Sequence, residues 1–186
     1  MKKILCLLLI LMFVLCSCGK AGASSYEEAI DCLMEFSMNG DVSRAKKLAP
    51  SFFWAYVESV SDVSLDEMLE TVEKYYDEKL GEQTEQNKIT YEITNSEKIK
   101  GEEFEYYKSD ILARIRDAQG PSNYEIKEII RVNISLKSKA SDGEELVDDD
   151  NDLLVVNTQD GWYVYLEEVG FGGVLVVLAY SGSIDE

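Results

Sequence analysis

The sequence predicts an α+β domain in which N-terminal helices pack on a curved antiparallel sheet. Between residues 24 and 80, apolar residues recur at the spacing of amphipathic helices. After residue 88, long stretches alternate between apolar and polar residues, which indicates strands. Asp160-Gly161 lies between two apolar runs and predicts a tight hairpin. Helices that precede a set of strands are typical of the α+β class.

The helices of the first half are predicted from their start and stop signals. Serine or aspartate followed by acidic residues can cap a helix N-terminus, whereas glycine or proline ends a helix. The start and stop residues are Ser24 or Ser25 with Asn39-Gly40, Asp41 with Pro50, and Ser64 with Gly81. Ser51 opens the most aromatic segment of the chain, which includes Trp54.

The second half is predicted to contain strands and one further helix. Alternation around Tyr91 predicts a first strand, and a helical pattern follows Gly101 and stops at Gly120-Pro121. A long alternating strand follows from residue 124 to residue 137. A polar loop is predicted from 138 to 152, followed by strands at 153–156 and 162–166.

The N-terminus has the pattern of a secretory leader. Lys2 and Lys3 precede twelve unbroken apolar residues, 4–15, a run too short to span a bilayer. Its end, Leu15-Cys16-Ser17-Cys18-Gly19, resembles the lipobox of bacterial lipoproteins, although that family more often has a small residue where Cys16 stands. The resemblance implies a diacylglycerol on Cys18 and cleavage after Ser17. An ordinary secreted protein is the alternative.

These patterns divide the chain into three parts. Residues 1–17 are predicted to be a lipoprotein signal peptide, 18–23 the lipidated cysteine and a flexible tether, and 24–186 a single domain. Loss of Lys2 and Lys3 from the 18 basic residues leaves 16 against 36 acidic ones, a formal charge of −20. Such a chain repels nucleic acid and anionic headgroups, so no nucleic-acid partner is predicted and membrane attachment must come from the lipid on Cys18.

Cysteine and histidine content restricts the possible chemistry. Of the four cysteines, two lie in the leader and Cys18 is predicted to be lipidated, which leaves Cys32 alone. An intramolecular disulfide and a thiolate metal cluster are therefore excluded. The chain has no histidine, so Ser-His and Cys-His pairs and His-ligated zinc are excluded as well. Cys32 is predicted to be a small buried hydrophobe.

The order of elements and the Asp160-Gly161-Trp162-Tyr163 hairpin resemble the small NTF2-like (cone-shaped, cystatin-like) domains of bacterial lipoproteins, over residues 24–168. The resemblance implies a bent sheet around a long helix, often with a pocket between them. Many such domains are non-catalytic surface or accessory modules, and others are enzymes, so the resemblance leaves the function open.

Glu128 is the candidate for a ligand site. Strict alternation places it on the apolar face of its strand, where a carboxylate must be paired, protonated or facing a pocket. Trp54, Tyr91 and Tyr107 are then expected to line that pocket. A β-bulge near Ile129-Ile130, which turns Glu128 outward, is the favoured alternative.

Two further segments have alternative interpretations. The acidic run 148–152 offers oxygen ligands for calcium, but Leu153 and Gln159 replace the glycine and glutamate of an EF-hand loop. A solvated loop is favoured, so no metal is predicted, and a calcium-dependent adhesive module is kept as a third hypothesis. The apolar segment 174–180 is too short to span a membrane. We expect it to form a last buried strand, with a partner-facing segment as the alternative.

The sequence therefore predicts a lipoprotein on the extracytoplasmic face of the cell membrane. The expected role is a non-catalytic ligand- or protein-binding accessory module that needs no cofactor. Its expected partners are the membrane, through Cys18, and a surface protein or small molecule. The alternative is a small isomerase- or dehydratase-like enzyme that uses Glu128 as a base and tyrosines as donors.

Overall fold

A computed structural model describes residues 21–79, 89–139, 145–166 and 170–171. These residues form an α+β fold of helices and one antiparallel sheet, which confirms the predicted fold class. In chain order the elements are α1 (Tyr26–Asn39), a 3₁₀ helix (Val42–Lys47), α2 (Ser51–Ser61), α3 (Leu65–Lys79), β1 (Thr90–Lys98), α4 (Gly101–Asp117), β2 (Ile126–Lys139), β3 (Glu145–Thr158), β4 (Trp162–Leu166) and β5 (Gly170–Phe171).

The five strands follow one another across the sheet in sequence order, β1 to β5. All neighbouring pairs are antiparallel, and α4 is inserted between β1 and β2. The long hairpin of β2 and β3 forms the centre of the sheet, with Ile130 opposite Val155. The Asp160-Gly161 turn joins β3 to β4, as the sequence predicts.

Local capping signals define the ends of α1. The Ser25 hydroxyl accepts a hydrogen bond from the Glu28 backbone N–H at 3.2 Å, which satisfies a free amide of the first turn. At the other end, Gly40 adopts a left-handed conformation with φ 65° and donates its N–H to the Phe36 carbonyl. This bond and the left-handed glycine form an αL C-cap motif, and the Asp41 N–H donates to the Glu35 carbonyl as well.

The core lies where the helices cover the sheet. Its fully buried large side chains come from α1, α3, α4 and the strands, and they include Phe36, Val72, Ile111, Ile129 and Tyr163. Cys32 is also fully buried among them, and burial raises the pKa of its thiol. A buried, protonated thiol is a poor nucleophile, which confirms the prediction that Cys32 is a small core residue.

Two predicted elements differ in the structure. The polar loop predicted to reach residue 152 is wrong in extent, because β3 begins at Glu145 and pairs with β2 from there. Pairing with a long neighbouring strand supplies backbone hydrogen bonds that polar composition alone does not reveal. The short helix after Asp41 is a 3₁₀ helix, whose N-terminus the Asp41 carboxylate caps.

Several predictions fall outside the described residues. They concern the leader, Cys18, the helix stop at Gly81 and the apolar segment 174–180. Among the helices that the structure describes, none has the length and apolar character needed to cross a membrane.

Candidate functional site

Glu128 lies beside a register shift and is held in an ion pair. The pairing of β2 with β3 shifts between Ile126 and Glu128, close to the predicted bulge. The Glu128 side chain is 25% exposed, and its carboxylate lies 2.7 Å from Lys98 Nζ on β1. Glu128 therefore has a charged partner on the neighbouring strand, beside an irregularity in the pairing of β2 with β3.

Tyr91 connects β1 to α1. Its hydroxyl donates a hydrogen bond to Asp31 Oδ1 at 3.1 Å, and Arg44 Nη1 lies 2.6 Å from Asp31 Oδ2. Burial, and then the bond to Asp31, raises the pKa of Tyr91 to about 12. Tyr91 is therefore a neutral donor that bridges strand and helix at ordinary pH.

Tyr107 and Trp54 lie in two further environments. The Tyr107 hydroxyl, on α4, accepts a hydrogen bond from Arg131 Nη2 at 3.3 Å, and the same nitrogen donates to Glu103 at 2.7 Å. Trp54 is 5% exposed and donates its indole N–H to the Lys46 carbonyl at 3.3 Å. Trp54 is thus a core residue with a satisfied polar atom.

The four predicted site residues are not all brought together. Tyr91 pairs with Leu136, which is eight residues along β2 from Glu128. At the rise of a strand this separation is roughly 26 Å along β2. Tyr91 and Glu128 therefore do not line one small pocket.

The acidic run 148–152 forms part of β3. The pairing of β2 with β3 shifts register within this run, between Asp148 and Asn151, so regular alternation does not describe its side chains. The Asp152 carboxylate accepts a hydrogen bond from the Asn133 side chain. The described residues contain no group of three or more candidate ligands placed to hold a metal ion.

A polar contact between α4 and β4 had no sequence signal. Tyr165 is 1% exposed, and its hydroxyl donates to Asp110 Oδ2 at 2.6 Å. Arg114 Nε lies 3.4 Å from the same oxygen, and its guanidinium lies 5.8 Å from the Tyr165 ring centre. The partners are 55 residues apart, so only the tertiary structure reveals this attachment of α4 to the sheet.

An open pocket of about 230 Å³ lies at the free end of the β2–β3 hairpin. Leu136 and Lys137 on β2 line one side, and Leu146 and Val147 on β3 line the other, with Ile89 beside them. The three outer apolar side chains are strongly exposed: Ile89 at 42%, Leu146 at 55% and Val147 at 51%. We call this the hairpin-end pocket. Four of its seven lining residues fall in the predicted loop 138–152, which is why the sequence did not indicate it.

The segment that precedes α1 is bound to the turn between β3 and β4. Ala23 and Trp162 exchange both backbone hydrogen bonds, at 3.1 and 2.9 Å, and the Gly22 N–H donates to the Asp160 carbonyl at 3.0 Å. A Cβ on Gly22 would lie 2.6 Å from the Tyr163 ring, and one on Gly161 would lie 2.8 Å from the Ala23 carbonyl oxygen. We call this arrangement the N-terminal clasp. It places two residues of the predicted flexible tether within the fold.

Glu28 joins the start of α1 to the 3₁₀ helix. Its carboxylate accepts hydrogen bonds from Lys47 Nζ at 2.7 Å and from the backbone and hydroxyl of Ser24. These bonds, with that from Lys47 the largest, lower the pKa of Glu28 from 4.5 to about 2. Because the folded pKa is depressed, ionised Glu28 stabilises the fold above pH 4.5, and this stability is lost as the pH falls towards 2.

Glu28→Gln removes the charge that these bonds stabilise, and it is therefore expected to lower the free energy of unfolding at pH 7 by about 1 kcal/mol. The loss is no larger because solvent screens this partly exposed ion pair. The loss should shrink near pH 3, where the unfolded-state carboxyl is protonated. Urea unfolding at the two pH values measures the difference, with Glu73→Gln on the exposed surface of α3 as the control. An equal loss at both pH values would contradict the assigned contacts.

Comparison with protein-family models, curated proteins and solved structures found no match for this chain.

Proposed function

We propose that this protein is a lipoprotein anchored to the extracytoplasmic face of the cell membrane, and that its α+β domain is a non-catalytic accessory module that binds a partner protein. The proposal includes the NTF2-like relationship, which the order of helices and antiparallel strands supports.

The observation that carries the proposal is the lipobox-like end of the apolar leader. A basic start, a run too short to span a bilayer and Cys18 after Leu15-Cys16-Ser17 occur together and in the required order. Two acyl chains on one residue suffice for stable attachment at about 0.8 kcal/mol per buried CH₂. The acidic mature chain offers no electrostatic substitute for that anchor.

The hairpin-end pocket is the best-supported binding surface. Isolated exposed apolar residues are common, but here Ile89, Leu146 and Val147 border one concave space. Its volume of about 230 Å³ lies below the roughly 300–1,000 Å³ of small-molecule sites. This size favours one apolar side chain of a protein partner over a small-molecule ligand.

The enzymatic alternative has less support. A carboxylate base for an isomerase- or dehydratase-like reaction must lie in a pocket with a phenol donor. The Glu128 carboxylate is instead paired with Lys98, and Tyr91 lies far from it along β2. Tyr107 has Arg131 as a partner, and Trp54 belongs to the core.

Photo-crosslinking in intact cells tests the binding role. A photoreactive side chain at position 147 of the full-length anchored protein is expected to give one discrete protein adduct. The matched control is position 106, where Tyr106 is 69% exposed on α4 and lies outside the pocket. Leu146→Asp should reduce the adduct by more than about tenfold, because contact with an apolar side chain would desolvate the new charge.

Either of two results would contradict the binding proposal. Equal adducts at positions 147 and 106 would indicate random collisions on an exposed surface. An adduct at position 147 that survives Leu146→Asp unchanged would show that the hairpin-end pocket does not make the contact.

A further inference from the structure

The N-terminal clasp fixes where the chain leaves the domain. Gly22 and Ala23 are buried, and they are bonded to residues of the turn between β3 and β4. The Tyr26 ring packs edge-on against the Trp162 ring, with 6.1 Å between the ring centroids. The Ser24 backbone N–H donates to the Glu28 carboxylate, which holds the start of α1. Backbone bonds, ring packing and a helix cap therefore hold this segment at one corner of the sheet.

The glycines of the clasp have little tolerance for substitution. Gly161 has φ 131°, a conformation that residues with a Cβ rarely adopt. Both Gly22 and Gly161 also lack space for a Cβ, because the Tyr163 ring and the Ala23 carbonyl are too close. Close approach of the N-terminal segment to the turn thus depends on glycine on both sides.

The distance from Cys18 to the clasp is short. Gly22 is four residues after Cys18, so a fully extended chain separates their Cα atoms by at most about 14 Å. The opposite end of the hairpin is far away, since Val147 is eleven residues before Thr158 on β3. That separation is roughly 36 Å along the strand.

We propose that the corner formed by the N-terminal clasp and the β3–β4 turn is the membrane-facing surface of the protein, and that the hairpin-end pocket is held away from the lipid. This inference rests on the proposed lipid anchor at Cys18. The formal charge of −20 on the mature chain repels the domain from anionic headgroups, so the short connection at the clasp sets which corner lies nearest the lipid. The short connection keeps the clasp close to the lipid, and the repulsion keeps the remainder of the domain away from it.

This orientation has a consequence for the partner. A protein that inserts a side chain at Ile89, Leu146 and Val147 must reach the pocket from the side away from the anchoring membrane. The surface near Gln159 instead faces the lipid headgroups.

Energy transfer from a dye on the protein to acceptor-labelled headgroups tests the orientation. The full-length lipidated protein, purified from membranes, is reconstituted into vesicles of phosphatidylcholine and anionic phosphatidylglycerol that contain a headgroup-labelled lipid. Donor dyes are attached to Gln159→Cys or to Val147→Cys, both at exposed positions. Cys32 is buried, and Cys18 would carry the lipid, so the introduced thiol is the one that reacts.

Transfer from position 159 is expected to be at least about twofold stronger than from position 147, because of the difference in distance from the anchor. A Gly-Ser insertion after Lys20 leaves the clasp intact but lengthens the connection, and it should reduce the difference. Equal transfer from the two positions, or stronger transfer from 147, would overturn the orientation.

The same samples test the lipid anchor and the orientation independently. Protein that does not float with the vesicles refutes the lipid anchor, and with it the orientation. Protein that floats but gives equal transfer refutes the orientation alone and leaves the anchor standing.

Discussion

Cys18→Ala is expected to abolish attachment of lipid to the chain and to release its processed form from the membrane fraction. The thiol is the group that would carry the diacylglycerol, and the acidic charge of the chain disfavours electrostatic binding to a bilayer. Incorporation of a tagged fatty acid and fractionation of cells measure the two effects. The effect should be nearly complete, because the proposed anchor depends on the lipid of this one residue.

Cys16→Ala is the matched control for this experiment. It removes a thiol two residues away in the same leader, and it should leave both lipid attachment and fractionation unchanged. Purified Cys18→Ala protein should also keep its thermal midpoint, because position 18 precedes the clasp and the core. Continued fatty-acid labelling of Cys18→Ala, or full membrane retention of its processed chain, would refute the lipobox.

Gly40→Ala is expected to lower the free energy of unfolding by about 2–5 kcal/mol, from a left-handed backbone cost and overpacking. Gly40 has φ 65° at the end of α1, and a Cβ there would lie 2.5 Å from Tyr76 Cγ. The Tyr76 ring cannot move away easily, because its hydroxyl donates to the Ser37 carbonyl at 2.8 Å. Urea denaturation measures the loss.

Gly101→Ala distinguishes the cost of the left-handed backbone from the cost of overpacking. Gly101 has nearly the same φ, 63°, but a Cβ there would meet no atom within 4 Å. Its expected loss is about 1–2 kcal/mol, from the backbone alone. If both substitutions cost the same, the close approach of Gly40 to Tyr76 does not contribute to stability.

The proposed orientation explains why a short connection is useful. A long flexible tether would let the domain sample many orientations above the membrane. Only three residues separate Cys18 from Gly22 of the clasp, and in the proposed orientation they would restrict that freedom and keep the corner at Gly161 near the lipid. A partner of the proposed kind would then meet the hairpin-end pocket in a restricted orientation, which would reduce the entropy lost on binding.

Local signals in the sequence determined the secondary structure well. Ser25 caps α1, Asn39-Gly40 ends it, Ser64 with Glu67 begins α3, and Asp160-Gly161 turns the last hairpin. These features depend on residues within a few positions of one another, so a linear pattern contains them. The leader pattern is also local, and it predicts the anchor at Cys18.

The tertiary structure alone decided which distant residues meet. The register shift beside Glu128, its ion pair with Lys98 and the extension of β3 to Glu145 depend on pairing between strands. A one-residue change in register reverses the face of each following side chain, and strict alternation cannot foresee it.

The N-terminal clasp is the clearest example of a contact that the sequence pattern does not predict. Gly22 and Ala23 have the composition of a flexible tether, and the sequence predicts one. Trp162, which Ala23 pairs with, lies 139 residues later in the chain, and its free backbone edge becomes available only once β4 has formed. The sequence by itself determined the elements and the expected site of the anchor. The fold decided which corner of the domain the N-terminal segment leaves from, because the clasp is made by backbone groups far apart in sequence.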